Sequence, residues 1–157
     1  MTKEDDTNLW NSGVMGLTRA KTLENAAFCV VSRMFAFRGG IEHWSLKLSQ
    51  VKRMKNPDHY MYYENNIISK NRNGSFKQIQ IKRKVVPIFA CPEAGERCPI
   101  YIVDKYISKL PPLAVATDLF YVRPLQGVPT DLSAPWYAAV PVRRDTLNKK
   151  FHLMYEH

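Results

Sequence analysis

Acidic residues are few in this 157-residue chain: 14 Asp and Glu stand against 23 Lys and Arg, leaving a net charge of +9 and an isoelectric point near 9.6. The deficit favours a polyanionic partner, although a basic surface can also simply be hydrated. Cysteine is scarce as well. Three residues, an odd number, supply no disulfide framework and fit a reducing compartment. Long apolar runs are missing: Ala26 to Val31, the longest early one, falls far short of the ~20 residues of a membrane-spanning helix. The first six residues, Met1-Thr2-Lys3-Glu4-Asp5-Asp6, do not read as a targeting segment. The chain is therefore expected to be soluble and intracellular, with no membrane partner. Glycine is limited to 7 residues against 10 Pro, and 45% of residues are hydrophobic and 24% charged. That is the composition of an ordinary globular domain rather than a disordered or collagen-like chain. At 18.2 kDa, one domain with its own core is the expectation.

Motifs of small-molecule chemistry are also lacking. There is no Gly-rich phosphate loop, no G-x-S-x-G elbow and no Cys/His or Ser/His constellation. Cys91 and Cys98 have six residues between them, too many for a C-x₂₋₄-C zinc half-site, and no second ligand pair follows. His152 and His157 are five apart, which does not put them on one helix face. No metal, cofactor or small-molecule substrate is expected.

Residues 1–19 have little periodicity, and with Gly13 and Gly16 they read as a loose tail held at Leu9-Trp10, before a domain over residues 20–157. Leu23, Ala27, Val30, Val31 and Met34 mark one helix face, with Gly39-Gly40 as its stop. Ile41, Trp44, Leu48 and Val51 repeat the pattern for a second helix, with Arg38 at the joint. After Pro57 the period changes. Residues 59–68 read as a strand or two short ones, Lys70 to Gly74 as a turn, and Ile79, Ile81 and then Val85 to Phe89 as the return of a small antiparallel sheet. Cys29 belongs to the core. Pro99 opens a helix carrying Ile100, Val103, Ile107 and Leu110, and Pro111-Pro112 end it. A Pro-rich loop is expected from 111 to about 144, followed by a last helix capped by Asp145 or Thr146 with Leu147, Phe151 and Met154 on one side. Its pattern stops at His157 with half an apolar face, so a C-terminally truncated domain is expected.

Ten basic residues lie between Lys47 and Lys84 against Asp58 and Glu64, so a net +8 of the +9 falls on 38 residues. Such a hairpin suits the phosphate backbone of DNA, where each neutralised phosphate releases counterions. It equally suits a hydrated sheet face protected by Lys against edge pairing. The abundant Tyr, eight in all, reads as packing and interface material.

Three segments, Leu9-Trp10-Asn11-Ser12-Gly13-Val14-Met15-Gly16, Phe37-Arg38-Gly39-Gly40-Ile41-Glu42-His43 and Glu96-Arg97-Cys98-Pro99-Ile100, resemble the DUF3504-like domain at the C-terminus of MYM-type zinc-finger and glutamine-rich QRICH-type proteins. That domain is similar to the tyrosine recombinases of crypton transposons and is regarded as domesticated from them. The resemblance runs over residues 9–157 and implies an α+β fold: a mainly helical, recombinase-like catalytic domain with a small antiparallel three-stranded sheet. In active relatives a Tyr attacks a DNA phosphodiester while two Arg, a Lys and a His stabilise charge and move protons. Guanidinium forks match the non-bridging oxygens of the transition state.

By this resemblance Arg38 matches the first Arg of the family motif and Lys70 the hairpin Lys. Glu42 matches the acid that buttresses that Arg, although Ile41 stands where domesticated proteins often carry a further acid. Read plainly, Arg38 is a cation at a helix C-terminus and Lys70 an ordinary turn residue. The remaining set has no candidate: the residues three after His43, His59 and His152 are Leu46, Tyr62 and Tyr155, so there is no His-x-x-Arg. Tyr155 precedes the place the nucleophile would hold. The resemblance therefore implies a non-catalytic, nuclear domain that contacts DNA or chromatin proteins through Arg38, Lys70, Arg72, Lys77, Lys82, Arg83 and Lys84. Two alternatives stand beside it. One is a protein-interaction module using the Tyr60 to Tyr63 strand or the last helix, and the other is a fragment of an active recombinase.

Overall fold

A computed structural model describes residues 2–37, 39–63, 85–127 and 130–156. Helix α1 spans Lys3–Asn11, α2 Ala20–Met34, α3 Gly40–Trp44, α4 Pro99–Ser108, α5 Pro112–Ala116, α6 Arg144–Asn148 and α7 Lys150–Tyr155. Strands β1 (Val51–Met54), β2 (His59–Tyr63) and β3 (Val85–Phe89) form an antiparallel sheet in the order β1-β2-β3, and β4 (Val122–Pro124) and β5 (Tyr137–Pro141) form a second, two-stranded one. The class is α+β, as expected.

The central element is α2. Ten of its fifteen positions are buried, seven of them apolar, among them Leu23, Ala27, Phe28, Cys29 and Val31, with Glu24, Asn25 and Ser32 as the polar three. One side packs on α4 and meets β3, and another meets β4. Helix α4 presents Ile100, Ile102, Val103 and Tyr106 to it, and the buried Tyr106 hydroxyl donates to the Phe120 carbonyl at 2.8 Å. From β5, the Tyr137 hydroxyl donates to the Ala20 carbonyl at 2.8 Å and ties the second sheet to the start of α2. Pro99 occupies the first turn of α4, where a missing N–H costs nothing.

Several expectations need correction. The segment read as a tail contains α1, because Thr2 and Asp5 form a capping box and Glu4, Asp5 and Asp6 suit the positive end of the helix dipole. Those signals are polar and leave no apolar stripe. Helix α2 ends before the two glycines: Ala36 takes the left-handed conformation at φ 52° and the Phe37 N–H reaches back to the Ser32 carbonyl, closing a Schellman-type cap. Gly40 instead begins α3. The second helix is a single turn, and its expected apolar face is wrong: Ile41 and Trp44 are exposed while Gly40 and His43 are buried, and Val51 starts a strand. The supposed loop 111–144 holds α5, β4 and β5, and Pro124 and Pro141 stand at strand ends, where a missing donor is tolerated. The C-terminal helix is two short ones, and the residue before it, Arg143, is its cap position rather than Asp145 or Thr146.

Candidate nucleic-acid interface

The three-stranded sheet has two unlike faces. Register pairs Val51 with Tyr62 and Arg53 with Tyr60, and Tyr60 with Ile88. Val51, Tyr60, Tyr62 and Ile88 point inward and are buried, and Tyr62 stacks on Phe35 at 4.7 Å between ring centroids. Tyr60 and Tyr62 are therefore core residues and not a free docking strand. The opposite face carries Lys52, Met54, His59, Met61, Pro87 and Phe89 by the same alternation. On it Met54, Val85 and Phe89 are exposed. Among the described residues this face is mostly apolar rather than covered by Lys.

Arg53, one of the ten clustered bases, lies under the sheet and is committed to structure. Its Nε sits 3.2 Å from the Asp104 carboxylate, and its Nη1 donates to the Met54 carbonyl at 2.9 Å and approaches Asp58 at 3.5 Å. The guanidinium lies 5.3 Å from the Tyr60 ring centroid, and the Tyr60 hydroxyl donates to Asp104 at 2.5 Å. Burial, with the Asp104 contact, holds the Tyr60 phenol well above its ordinary range, so it stays neutral. Lys47, Lys52 and Lys55 project from the described part of the same stretch and are exposed.

Arg38, Lys70, Arg72, Lys77, Lys82, Arg83 and Lys84 lie outside the described residues. Glu42 is described: it is the third residue of α3, and its Oε2 accepts the Gly39 N–H at 3.3 Å. Glu42 thus holds the backbone N–H at the cap position of α3.

The α2–α3 joint is set from beneath by a polar cluster that no sequence pattern marks. His43 is buried, stacked on Phe28 at 4.1 Å. The Ser32 hydroxyl donates to the Phe28 carbonyl at 2.7 Å, so at 2.8 Å from His43 Nε2 it accepts the ring N–H. Nδ1 then accepts from the Tyr121 hydroxyl at 2.8 Å. Burial, aided by the Lys150 charge, pushes the His43 pKa down to about 3 and keeps the ring neutral. Behind it Glu24 and Lys150 form a buried ion pair at 2.9 Å. The members of this cluster come from α2, α3, α7 and the residue before β4, so they are far apart in sequence. The one signal is compositional: Glu24 interrupts the apolar face of α2.

Among the described residues no helix is long and apolar enough to cross a membrane, and no group of three or more His, Cys, Asp or Glu could hold a metal ion. Cys91 is exposed and Cys98 buried, with the Cys91 N–H 3.2 Å from the Cys98 sulfur.

No curated protein and no solved structure matches the chain. A family model described as Domain of unknown function (DUF3504) does match, over residues 1–155. That span runs from α1 through α7 and takes in both sheets, including the amino-terminal helix that lacks an apolar stripe; the chain belongs to the DUF3504 family.

Proposed function

We propose that this chain is a non-catalytic, nuclear, recombinase-derived domain that associates with the phosphate backbone of DNA. The observation that carries the reading is the charge of the segment joining β2 to β3: residues 64–84 contain Lys70, Arg72, Lys77, Lys82, Arg83 and Lys84 against Glu64 alone. With Arg38 before α3, these residues would bind phosphates without reading sequence. Strand cleavage is not part of the proposal. The chain supplies no His-x-x-Arg, and His43, in the helix that follows Arg38, has both ring nitrogens committed to Ser32 and Tyr121. Such a ring cannot serve as general acid, and losing groups of that kind costs roughly 10²- to 10⁴-fold each.

Fluorescence anisotropy with a labelled duplex at two salt concentrations tests the reading, with an acidic protein of similar charge as decoy. Micromolar binding that weakens steeply with salt, resists the decoy and is reduced in an Arg38→Ala, Lys70→Ala double variant supports it. A folded chain that ignores DNA at low salt overturns it.

A second reading has its own observation. Met54, Val85 and Phe89, exposed on the outer face of the first sheet, give an apolar surface suited to a protein partner. Self-association that persists in high salt and is lost on Phe89→Lys would favour it.

A further inference from the structure

The arginines of the described residues divide into two groups. Arg33 is 2.7 Å from Asp6, Arg53 is held by Asp104 and Asp58, and Arg97 lies over the Trp10 ring at 5.1 Å. Arg19, Arg123, Arg143 and Arg144 are exposed and make no ion pair or ring contact among the described residues. Three of these unpaired arginines are brought together at one place. Arg123 from β4 and Arg143 from the cap of α6 line an open cleft of about 430 Å³ with Lys21, Glu24 and Thr146. Arg19 and Lys21 line a neighbouring cleft of about 590 Å³ that shares the Lys21 and Pro124 walls.

Among the described residues lining the two clefts, Glu24, in the first, is the one acid. Its charge is met from inside by Lys150 at 2.9 Å, with Lys21 more distant at 3.9 Å. Three guanidinium groups thus face solvent without internal neutralisation, beside a lysine that is itself exposed. The site also lies at the start of α2, a fifteen-residue helix with no acid in its first turn and no side chain capping its N–H groups. Guanidinium forks, an ammonium and the positive end of a helix dipole together suit the oxygens of a phosphate group.

We propose that the cleft of Lys21, Arg123 and Arg143, continued by Arg19, is a phosphate-binding site that adds a second DNA-backbone contact on the β4–β5 side of the fold. The proposal rests on the DNA reading above for the source of the phosphate, and not for the site itself. Neither the resemblance nor the charge clustering in sequence marks these residues, because they are scattered over positions 19 to 143 and converge through the pairing of β4 with β5 and the packing of α2 on β4.

The full chain, an Arg123→Ala, Arg143→Ala variant and a Lys82→Ala, Arg83→Ala, Lys84→Ala variant are titrated against a labelled duplex over a salt series. In parallel, inorganic tripolyphosphate binding is measured by calorimetry. Arg123 and Arg143 are exposed, and matching thermal melts verify that their removal leaves the fold intact. The expected result is about tenfold weaker duplex binding by the Arg123, Arg143 variant, a salt slope lower by about 2, and loss of tripolyphosphate binding. The Lys82 to Lys84 variant should keep its tripolyphosphate binding. Duplex binding and tripolyphosphate binding both unchanged in the Arg123, Arg143 variant overturn the site while leaving the DNA reading in place. A parent that ignores the duplex but binds tripolyphosphate through Arg123 and Arg143 keeps the site, assigns it to soluble phosphate compounds and overturns the DNA reading. Binding of neither ligand by the folded parent overturns both.

Discussion

The Lys150 ammonium lies 2.9 Å from the Glu24 carboxylate, with 2% and 1% of the two side chains exposed. This joins α7 to the N-terminal half of the central helix by a charge pair in the core. Among the described residues the carboxylate's other oxygen has only the exposed Lys21, 3.9 Å away. Burial lowers the Lys150 pKa while Glu24 acts to raise it, so desolvation is the larger influence on the ammonium.

Removing one partner should therefore be far worse than removing both. Lys150→Met leaves a buried, unpaired carboxylate and is expected to cost about 3–5 kcal/mol in urea denaturation, whereas Glu24→Leu with Lys150→Met should recover most of that loss. Equal destabilisation by the single and double variants would mean that packing, not charge, is what Lys150 contributes.

His43 makes the fold acid-sensitive in a defined window. Its native pKa of about 3 lies below the ordinary 6.5, so between these values the unfolded chain binds a proton that the native chain does not. Stability from this group is complete above pH 6.5 and is lost as pH falls toward 3, at up to about 1.4 kcal/mol per pH unit. A His43→Gln variant is less stable at pH 7, since the Phe28 stacking and shape are lost, and it should show a shallower decline between pH 6 and 4. Parallel denaturation profiles for parent and variant would remove His43 as the titrating group.

Neighbouring glycines have opposite demands. A Cβ on Gly40 would lie 1.8 Å from the Asn148 Oδ1 and 2.8 Å from its Cα, where α3 packs on α6, whereas a Cβ on Gly39 meets nothing within 4 Å. Gly40→Ala should cost about 1–3 kcal/mol or more by overpacking, since the backbone at Asn148 cannot swing away. Gly39→Ala, at an extended φ of −170°, should stay within about 0.5 kcal/mol. Thermal melts of the two variants make the comparison directly, and similar melting temperatures would deny the α3–α6 contact.

What could be read from sequence follows from where the physical signal resides. Helices α2 and α4 are marked by apolar residues at helical spacing, β2 by alternation and β-forming residues and β3 by a short apolar run, so local pattern suffices for them; the Lys70 to Gly74 turn and the Ile79, Ile81 alternation lie outside the described residues. Helix α1 carries its signal in caps and dipole charges, with Leu9 its one buried residue. At α3 the pattern misleads: the apparent stripe of Ile41 and Trp44 is exposed, because the anchor is the close approach of Gly40, which leaves no mark in hydrophobicity. Strands β4 and β5 hide among prolines. The site divides in the same way. Charge clustering between Lys47 and Lys84 is visible in a line of sequence, but the Lys21, Arg123 and Arg143 cleft and the His43 cluster depend on the meeting of distant segments, and charge counting cannot separate a paired arginine from a free one.

Arg53 is such a paired arginine. It belongs to the basic stretch by sequence, yet its guanidinium holds Asp104, Asp58 and the Met54 carbonyl. Because Asp58 and Asp104 are themselves substantially exposed, screening limits each interaction, and Arg53→Ala should destabilise by about 1–2 kcal/mol in urea. Lys55→Ala, at an exposed position with no partner among the described residues, should change stability by less than about 0.5 kcal/mol. In DNA titrations the order reverses. A folded Arg53→Ala variant should keep the parent's salt slope, since its charge is neutralised internally, whereas replacing Lys82, Arg83 and Lys84 should lower the slope by up to about 0.9 for each phosphate that is no longer neutralised. A reduced slope for Arg53→Ala at unchanged stability would place that guanidinium on phosphate and take it out of the sheet's support.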